Sequence, residues 1–198
     1  MRGDVVIVFA RAPRLGAVKR RQARGIGAMA ALRFYRGQLA ATLRAARDGR
    51  WRVELAVTPD HAPARWPCGI ARVPQGQGDL GVRMGRALAR HRRAVLVGCD
   101  IPGLARADIA AAFRALGRAQ AVFGPAEDGG YWLVGLGPRR PTRPFAEVRW
   151  STAHALGDTL ANFAGRRVAL LRTLRDVDTA EDLAAIRAAD RAAGRGRA

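Results

Sequence analysis

Lysine is almost missing from this chain of 198 residues: among its 35 basic residues, only Lys19 is not an arginine. Acids are few as well, 16 in all, which leaves a formal net charge of +19. Such a surplus invites a nucleic-acid reading, because cations gain affinity by displacing counterions from phosphate. The arginines are scattered, however, with no long run and no aromatic residues interleaved as a stacking platform needs. Arginine alongside abundant alanine and glycine is also a composition that codon bias can produce without any selected basic surface. No specific nucleic-acid partner is therefore expected, and a non-catalytic nucleic-acid binder driven by charge is the third of three functional readings.

Cysteine and histidine are scarce too. Cys68 and Cys99 form no CxxC pair, and His61, His91 and His154 lie far apart, so neither a zinc signature nor a disulfide framework is present. The apolar stretch near the start, Val5 to Ala10, is too short for a signal sequence or a membrane span. The cytoplasm is the expected compartment, with no membrane partner. What is plentiful is hydrophobic residues, 49% of the chain. That suffices for one well-covered domain over 1–198, with no repeat or linker and a basic tail, 187–198, expected to fray.

The pattern alternates strands and helices. Asp4–Ala10 predicts a buried first strand that runs into a loop with proline, glycine and cations, Arg11 to Arg21. A basic, glycine-containing loop after a first parallel strand suits an anionic ligand such as a di- or triphosphate. Lys19 supplies a point charge there, and Arg11 and Arg21 can grip oxygens in pairs. Apolar residues Tyr35, Leu39, Leu43 and Ala46 then define one face of a helix over 23–47, read as core. Arg52–Val57 and Ile70–Val73 predict two further strands.

The next segment, Gly76-Gln77-Gly78-Asp79-Leu80-Gly81, spells GxGxxG, with Asp100 nineteen residues further on. That is the outline of a dinucleotide fingerprint, but Pro74-Gln75 separate it from a short strand, and the first strand carries a better phosphate loop. The glycines otherwise let backbone approach a ligand, or form a turn before a helix containing Met84 and Leu88.

Val95–Gly98 is a short, β-branched run that predicts a strand buried on both faces of a parallel sheet. Asp100 follows it, and Pro102 and Gly103 stop any further strand or helix. Ligands of open α/β sheets bind just beyond the carboxyl ends of strands, and an aspartate there commonly holds a divalent cation. A turn aspartate capping the loop is the alternative. Ile109, Ala112, Phe113 and Leu116 predict another helix, and Gln120–Gly124 another strand.

Glu127, Asp128, Gly129 and Gly130 come next. An acid there can bind sugar hydroxyls or act as a base, while a two-glycine hairpin with solvated acids is the plainer possibility. Tyr131–Leu136 returns as a strand, antiparallel if the two form a hairpin. A helix is expected from Trp150-Ser151-Thr152, with Ser151 or Thr152 as its cap. Val168–Leu171 predicts the last strand. Asp176 and Asp178 precede a final helix opened by a Thr179/Asp182 capping box. A second carboxylate here can complete an oxygen site with Asp100, or simply favour the helix amino terminus.

Taken together, VFARAPRLGAVKRR, QGQGDLGVRM, GCDIPGL, GPAEDGGYWLVGL, VRWST and DVDTAEDL resemble, in this order, a family of small bacterial proteins. These are GT-A-type members of the nucleotide-diphospho-sugar transferase superfamily, often labelled arsenosugar-type glycosyltransferases. The resemblance runs from about Val5 to Leu183. It implies a three-layer αβα sandwich of GT-A type with a mostly parallel sheet. It also implies a glycosyltransferase using a nucleotide-diphosphate sugar, a small-molecule acceptor, and Mg²⁺ or Mn²⁺.

By this resemblance Gly16, Lys19 and Arg21 form the phosphate loop, Gln75 and Gly76 meet the base, and Asp100 and Asp178 bind the metal. Glu127, Asp128, Gly129 and Gly130, with Trp150 and Ser151, belong to the sugar or acceptor side, Asp128 or Glu127 serving as base. The chain departs from the family at Arg20, where K-T-R-L is usual and Lys19-Arg20-Arg21-Gln22 stands, and at Cys99 and Ile101. The superfamily also holds nucleotidyltransferases, among them phospholactate guanylyltransferase and the sugar-nucleotide synthetases. Guanylyl- or cytidylyl-type transfer from a nucleoside triphosphate, with pyrophosphate leaving, is therefore the second reading, and it shares every proposed site residue.

Overall fold

The computed structural model describes residues 3–99 and 101–175. A seven-stranded sheet forms its centre, in the order β3-β2-β1-β4-β6-β5-β7. The strands are β1 (Val5–Arg11), β2 (Arg52–Thr58), β3 (Ala71–Pro74), β4 (Ala94–Gly98), β5 (Ala121–Pro125), β6 (Tyr131–Leu136) and β7 (Val168–Leu170). The helices are α1 (Arg20–Ile26), α2 (Ala28–Ala46), α3 (Leu80–Ala89), α4 (Arg106–Ala115) and α5 (Ala155–Ala161).

The sheet is parallel except for β6, which runs opposite to both β4 and β5. The reason is local. Only residues 126–130 separate β5 from β6, and a turn that short can join only antiparallel neighbours. β6 then lies between β4 and β5, with Ala94 facing Leu136 and Val97 facing Leu133.

The pleat sends alternate side chains of β1 to opposite faces. Val6 and Val8 pack with Leu32, Leu39 and Leu43 of α2 and Ile109 and Phe113 of α4. Val5 and Ile7 pack with Met84 and Leu88 of α3 and with Phe163, just beyond α5. Helices thus cover both faces, which produces the expected three layers. Among the described residues no helix is long and apolar enough to cross a membrane.

Two expectations need correction. The single helix expected over 23–47 is two helices, because Gly27 adopts a left-handed φ of 81° that no α-helix can contain. The helix expected from Trp150 begins only at Ala155, after His154, and neither Ser151 nor Thr152 caps it. Ser151 has a φ of 62°, and the Thr152 hydroxyl is turned back onto the Arg149 carbonyl at 2.8 Å. The final helix expected after Thr179 lies outside the described residues, as do Asp176 and the basic tail.

Candidate active site

Parallel neighbours β1 and β4 end side by side, and a cavity of about 580 Å³ opens at those ends. Its rim carries Arg11 and Lys19, the last residue of β1 and the residue before α1. Its wall is apolar: Phe9, Leu80, Met84, Leu96 and Val134 line it. Two cations at the edge of an apolar slot suit a ligand with an anionic end and a flat, less polar end.

Lys19 sits in the left-handed region, φ 46° and ψ 49°, at the start of α1. A non-glycine residue held there costs on the order of 1–2 kcal/mol, which the surrounding loop must offset. Gly16 also has a positive φ, 72°, so the loop turns sharply twice before the helix. Gly16 does not line the cavity, whereas Ala17, Val18 and Lys19 do. Arg21 lies in the first turn of α1, and its side chain is outside the described set.

Tyr35 locks the end of β1 from beneath. Its hydroxyl accepts from the Arg11 backbone N–H at 2.8 Å and donates to the Arg11 carbonyl at 2.8 Å. The Cys99 thiol donates to the same hydroxyl at 3.1 Å. Tyr35 and Cys99 both line the cavity. Sequence spacing marked Tyr35 only as a core position on α2. Its role as a brace between β1 and the end of β4 depends on which helix lands under which strand, a fact no local pattern carries.

Gln75 is buried and lines the cavity. Its amide nitrogen donates to the carbonyls of Ala56 at 2.9 Å and Ala10 at 3.3 Å, while its oxygen accepts from Arg83 at 3.0 Å. This side chain ties β1, β2 and α3 together. Gly76 donates its N–H to Asp60 at 3.0 Å, and the Arg86 guanidinium grips the carbonyls of Gln75 and Gln77. The GxGxxG amides are thus partly engaged inside the protein. Asp79 caps α3 by accepting from Val82 N–H at 2.8 Å. The last glycine, Gly81, packs against another loop: a Cβ there would stand 2.8 Å from the Trp150 ring.

The acidic turn is placed differently. Glu127 and Asp128 are exposed and lie outside the cavity lining, and Asp128 accepts from Gly130 N–H at 2.9 Å. Gly129 has a φ of +83°, and a Cβ on it would come within 2.2 Å of the Ala153 carbonyl. The double glycine therefore lets the turn lie against residues 151–154, with Leu156 N–H donating to the Gly129 carbonyl at 2.9 Å. Trp150 faces Tyr131 and Phe145, ring centroids 6.3 Å apart in each case, and lies outside the cavity lining, as does Ser151.

Tyr131 connects the two regions, since it follows Gly130 and lines the cavity. Burial pushes its phenol well above the usual tyrosine value, against a smaller opposing effect of the Thr159 hydroxyl at 3.4 Å. It stays protonated at neutral pH and offers a hydrogen bond rather than a base.

Asp100 and Asp178 lie outside the described residues. Among the described residues no three histidine, cysteine, aspartate or glutamate side chains gather as a metal site. The described cavity lining contains cations and no carboxylate. Asp100 follows directly on Cys99 of that lining. Carboxylate oxygens are the donors that Mg²⁺ and Mn²⁺ prefer, so these two aspartates fit such an ion chemically.

A family model described as "Uncharacterized protein conserved in bacteria (DUF2064)" matches residues 41–152. Among solved structures, the chain is similar to a protein of Desulfovibrio desulfuricans G20 that carries the provisional name nucleotide-diphospho-sugar transferase. The two are 29% identical over 92% of this chain and 85% of that one, with a TM-score of 0.83. It is also similar to 2-C-methyl-D-erythritol 4-phosphate cytidylyltransferase from Thermus thermophilus, at 17% identity, 96% and 100% coverage and a TM-score of 0.53. A third likeness is to Rv0371C of Mycobacterium tuberculosis H37Rv in complex with manganese, at 16% identity, 91% and 96% coverage and a TM-score of 0.51. The last two are likenesses of fold. No curated protein matches the chain in sequence.

Proposed function

We propose that this chain, which belongs to the DUF2064 family, is a transferase that moves a glycosyl group from a nucleotide-diphosphate sugar to a small-molecule acceptor. The observation that carries this reading is the cavity at the ends of β1 and β4, with Arg11 and Lys19 at its rim and an apolar slot behind them. The diphosphate meets the cations, and the base enters the slot beside Leu80 and Met84. The provisional name of the D. desulfuricans neighbour supports the same class.

Transfer breaks the bond between the sugar's anomeric carbon and the diphosphate oxygen, and the nucleoside diphosphate leaves with the electron pair. The acceptor oxygen forms the new bond, and its proton passes to Asp128, whose second carboxylate oxygen is not used by Gly130. Lys19 and Arg11 act where charge accumulates on the leaving group, so they bind the transition state more tightly than the donor. Tyr131 donates a hydrogen bond from the cavity wall. Asp100 and Asp178 would hold Mg²⁺ or Mn²⁺, which supplies further positive charge to the diphosphate. The manganese bound to Rv0371C supports a divalent ion.

The fold is shared with a cytidylyltransferase, which favours nucleotidyl transfer as the second reading. One assay separates them. The protein is incubated with Mg²⁺ or Mn²⁺ and either nucleotide-sugars or nucleoside triphosphates, and nucleoside diphosphate and pyrophosphate are both measured. Slow release of nucleoside diphosphate from one sugar donor is expected. Pyrophosphate released only with a phosphorylated co-substrate overturns glycosyl transfer in favour of nucleotidyl transfer. Asp100→Asn is expected to abolish metal-dependent turnover, and unchanged turnover removes Asp100 from the metal site.

A further inference from the structure

A second concave site lies at the opposite end of the sheet, where β1, β4, β5 and β7 begin and β6 ends. Its volume is about 760 Å³, within the range of small-molecule sites. Arg92, Arg93, Arg118, Arg139 and Arg167 line it, with Asp4 as the one acid among its described residues. Asp4 is paired with Arg93 through both carboxylate oxygens. The other four guanidinium groups have no carboxylate partner among the described residues.

These arginines come from four separate segments. Arg92 precedes β4, Arg118 lies between α4 and β5, Arg139 follows β6, and Arg167 precedes β7. The segments that carry them are fixed to one another. Arg140 donates to the carbonyls of Leu88, His91 and Arg92 and to Gly137, which fixes the end of β6 against the turn before β4. Gln120 accepts from the Arg167 backbone N–H at 2.7 Å, which fixes the start of β7. All four residues are exposed at the edge of the cleft, and like charges around one concavity repel each other, a repulsion that a compact anion removes.

We infer that this cleft binds a small, multiply charged oxyanion, of the inorganic di- or triphosphate class. Guanidinium forks match phosphate oxygens two at a time, and four of them around one concavity match a compact anion better than an extended one. The described lining includes no aromatic ring, only Leu116 and Pro138 as bulky apolar neighbours, so no base-stacking surface is offered. That separates this site from the cavity beside Lys19, which has an apolar slot. The inference does not depend on which transfer reaction occurs there.

The test is calorimetric titration of sodium tripolyphosphate into the full chain carrying Lys19→Ala, which weakens the other anion site. One equivalent is expected to bind. Adding Arg118→Ala, Arg139→Ala and Arg167→Ala is expected to weaken that binding by at least about tenfold. A control removes the same number of charges from exposed positions elsewhere, Arg33→Ala, Arg44→Ala and Arg65→Ala, and less than about twofold change is expected.

Equal weakening in the control overturns the inference, because the attraction then belongs to net charge. Absence of binding, or binding indifferent to the cleft variant, overturns it too. A duplex oligonucleotide that binds through these arginines while tripolyphosphate does not would make the cleft a nucleic-acid contact instead. Should the alanine variant fail to fold, Arg118→Lys, Arg139→Lys and Arg167→Lys keep the charge but lose the forks. About threefold weakening is then expected, and unchanged affinity counts against the site.

Discussion

The two ends of the sheet use one residue type in opposite ways. Around the cavity, arginines mostly hold loops: Arg83 and Arg86 are bonded to Gln75 and Gln77, while Arg11 and Lys19 line the ligand space. At the far end, Arg92, Arg118, Arg139 and Arg167 line a cleft whose one described acid, Asp4, is paired with Arg93. Arg140 lies between these extremes. Burial pulls its pKa below the usual arginine value, yet four backbone carbonyls satisfy its donors. In a chain so rich in arginine, abundance locates nothing. What distinguishes a site is which cations the fold brings together around a concavity.

The largest effect expected on this comparison comes from the acidic turn. Gly129→Ala places a methyl group within 2.2 Å of the Ala153 carbonyl at a φ of +83°. About 3 kcal/mol of destabilisation is expected, a drop of roughly 6–12 °C in melting temperature. Unchanged melting would show that the turn can lift away from residues 151–154. Next is Arg140→Ala, which removes the frame of the far cleft and is expected to cost about 2 kcal/mol in denaturant unfolding. Nucleotide affinity at the cavity should stay the same, and a parallel loss would show that the two ends are coupled.

Lys19→Ala sharpens the comparison from the other side. Affinity for a nucleoside diphosphate is expected to fall about tenfold, close to 1.4 kcal/mol, with tripolyphosphate binding at the cleft retained. The smallest effect belongs to Asp108, near the start of α4. Burial alone would raise its carboxyl pKa, but the Arg172 guanidinium and the Ala105 N–H outweigh this and hold it below the usual value. A depressed pKa in the folded state means that the carboxylate stabilises the fold above its ordinary value, about 3.9. That contribution is lost as pH falls through the depressed value. Asp108→Asn is expected to lose about 1 kcal/mol at neutral pH, with its unfolding curve converging on the parent's in strong acid. A gap that persists in acid would mean that the Arg172 pair contributes no charge-dependent stability.

Much of the fold was legible beforehand because strand and helix signals are local. The runs at Val5, Val95 and Tyr131 each became strands, and the mostly parallel three-layer arrangement follows from their alternation with amphipathic helices. Boundaries were less legible. Gly27 reads as one more residue of a helical stretch until its φ of 81° divides α1 from α2. Ser151 and Thr152 have the composition of a cap, but the chain turns once more before α5 begins. The cavity was legible at its cationic edge, where strand-end logic drew attention to Arg11 and Lys19, and at Gln75, which the family resemblance named and which also lines it. Tyr35, Met84 and Tyr131 read as core or strand residues, because their exposure to the cavity arises from segments remote in sequence.

The sequence by itself therefore determined the periodic elements, their order and the loops at the strand ends, all consequences of neighbours within a few residues. Only the tertiary structure decided that β6 lies between β4 and β5, and that Tyr35 braces β1 against Cys99. The same is true of Gly129, which lies under Ala153, and of the four arginines from distant segments that share one cleft. Each of those facts is a distance between parts of the chain that no local preference encodes. Sheet order and helix packing set those distances, and with them which charged groups find partners and which are left for a ligand.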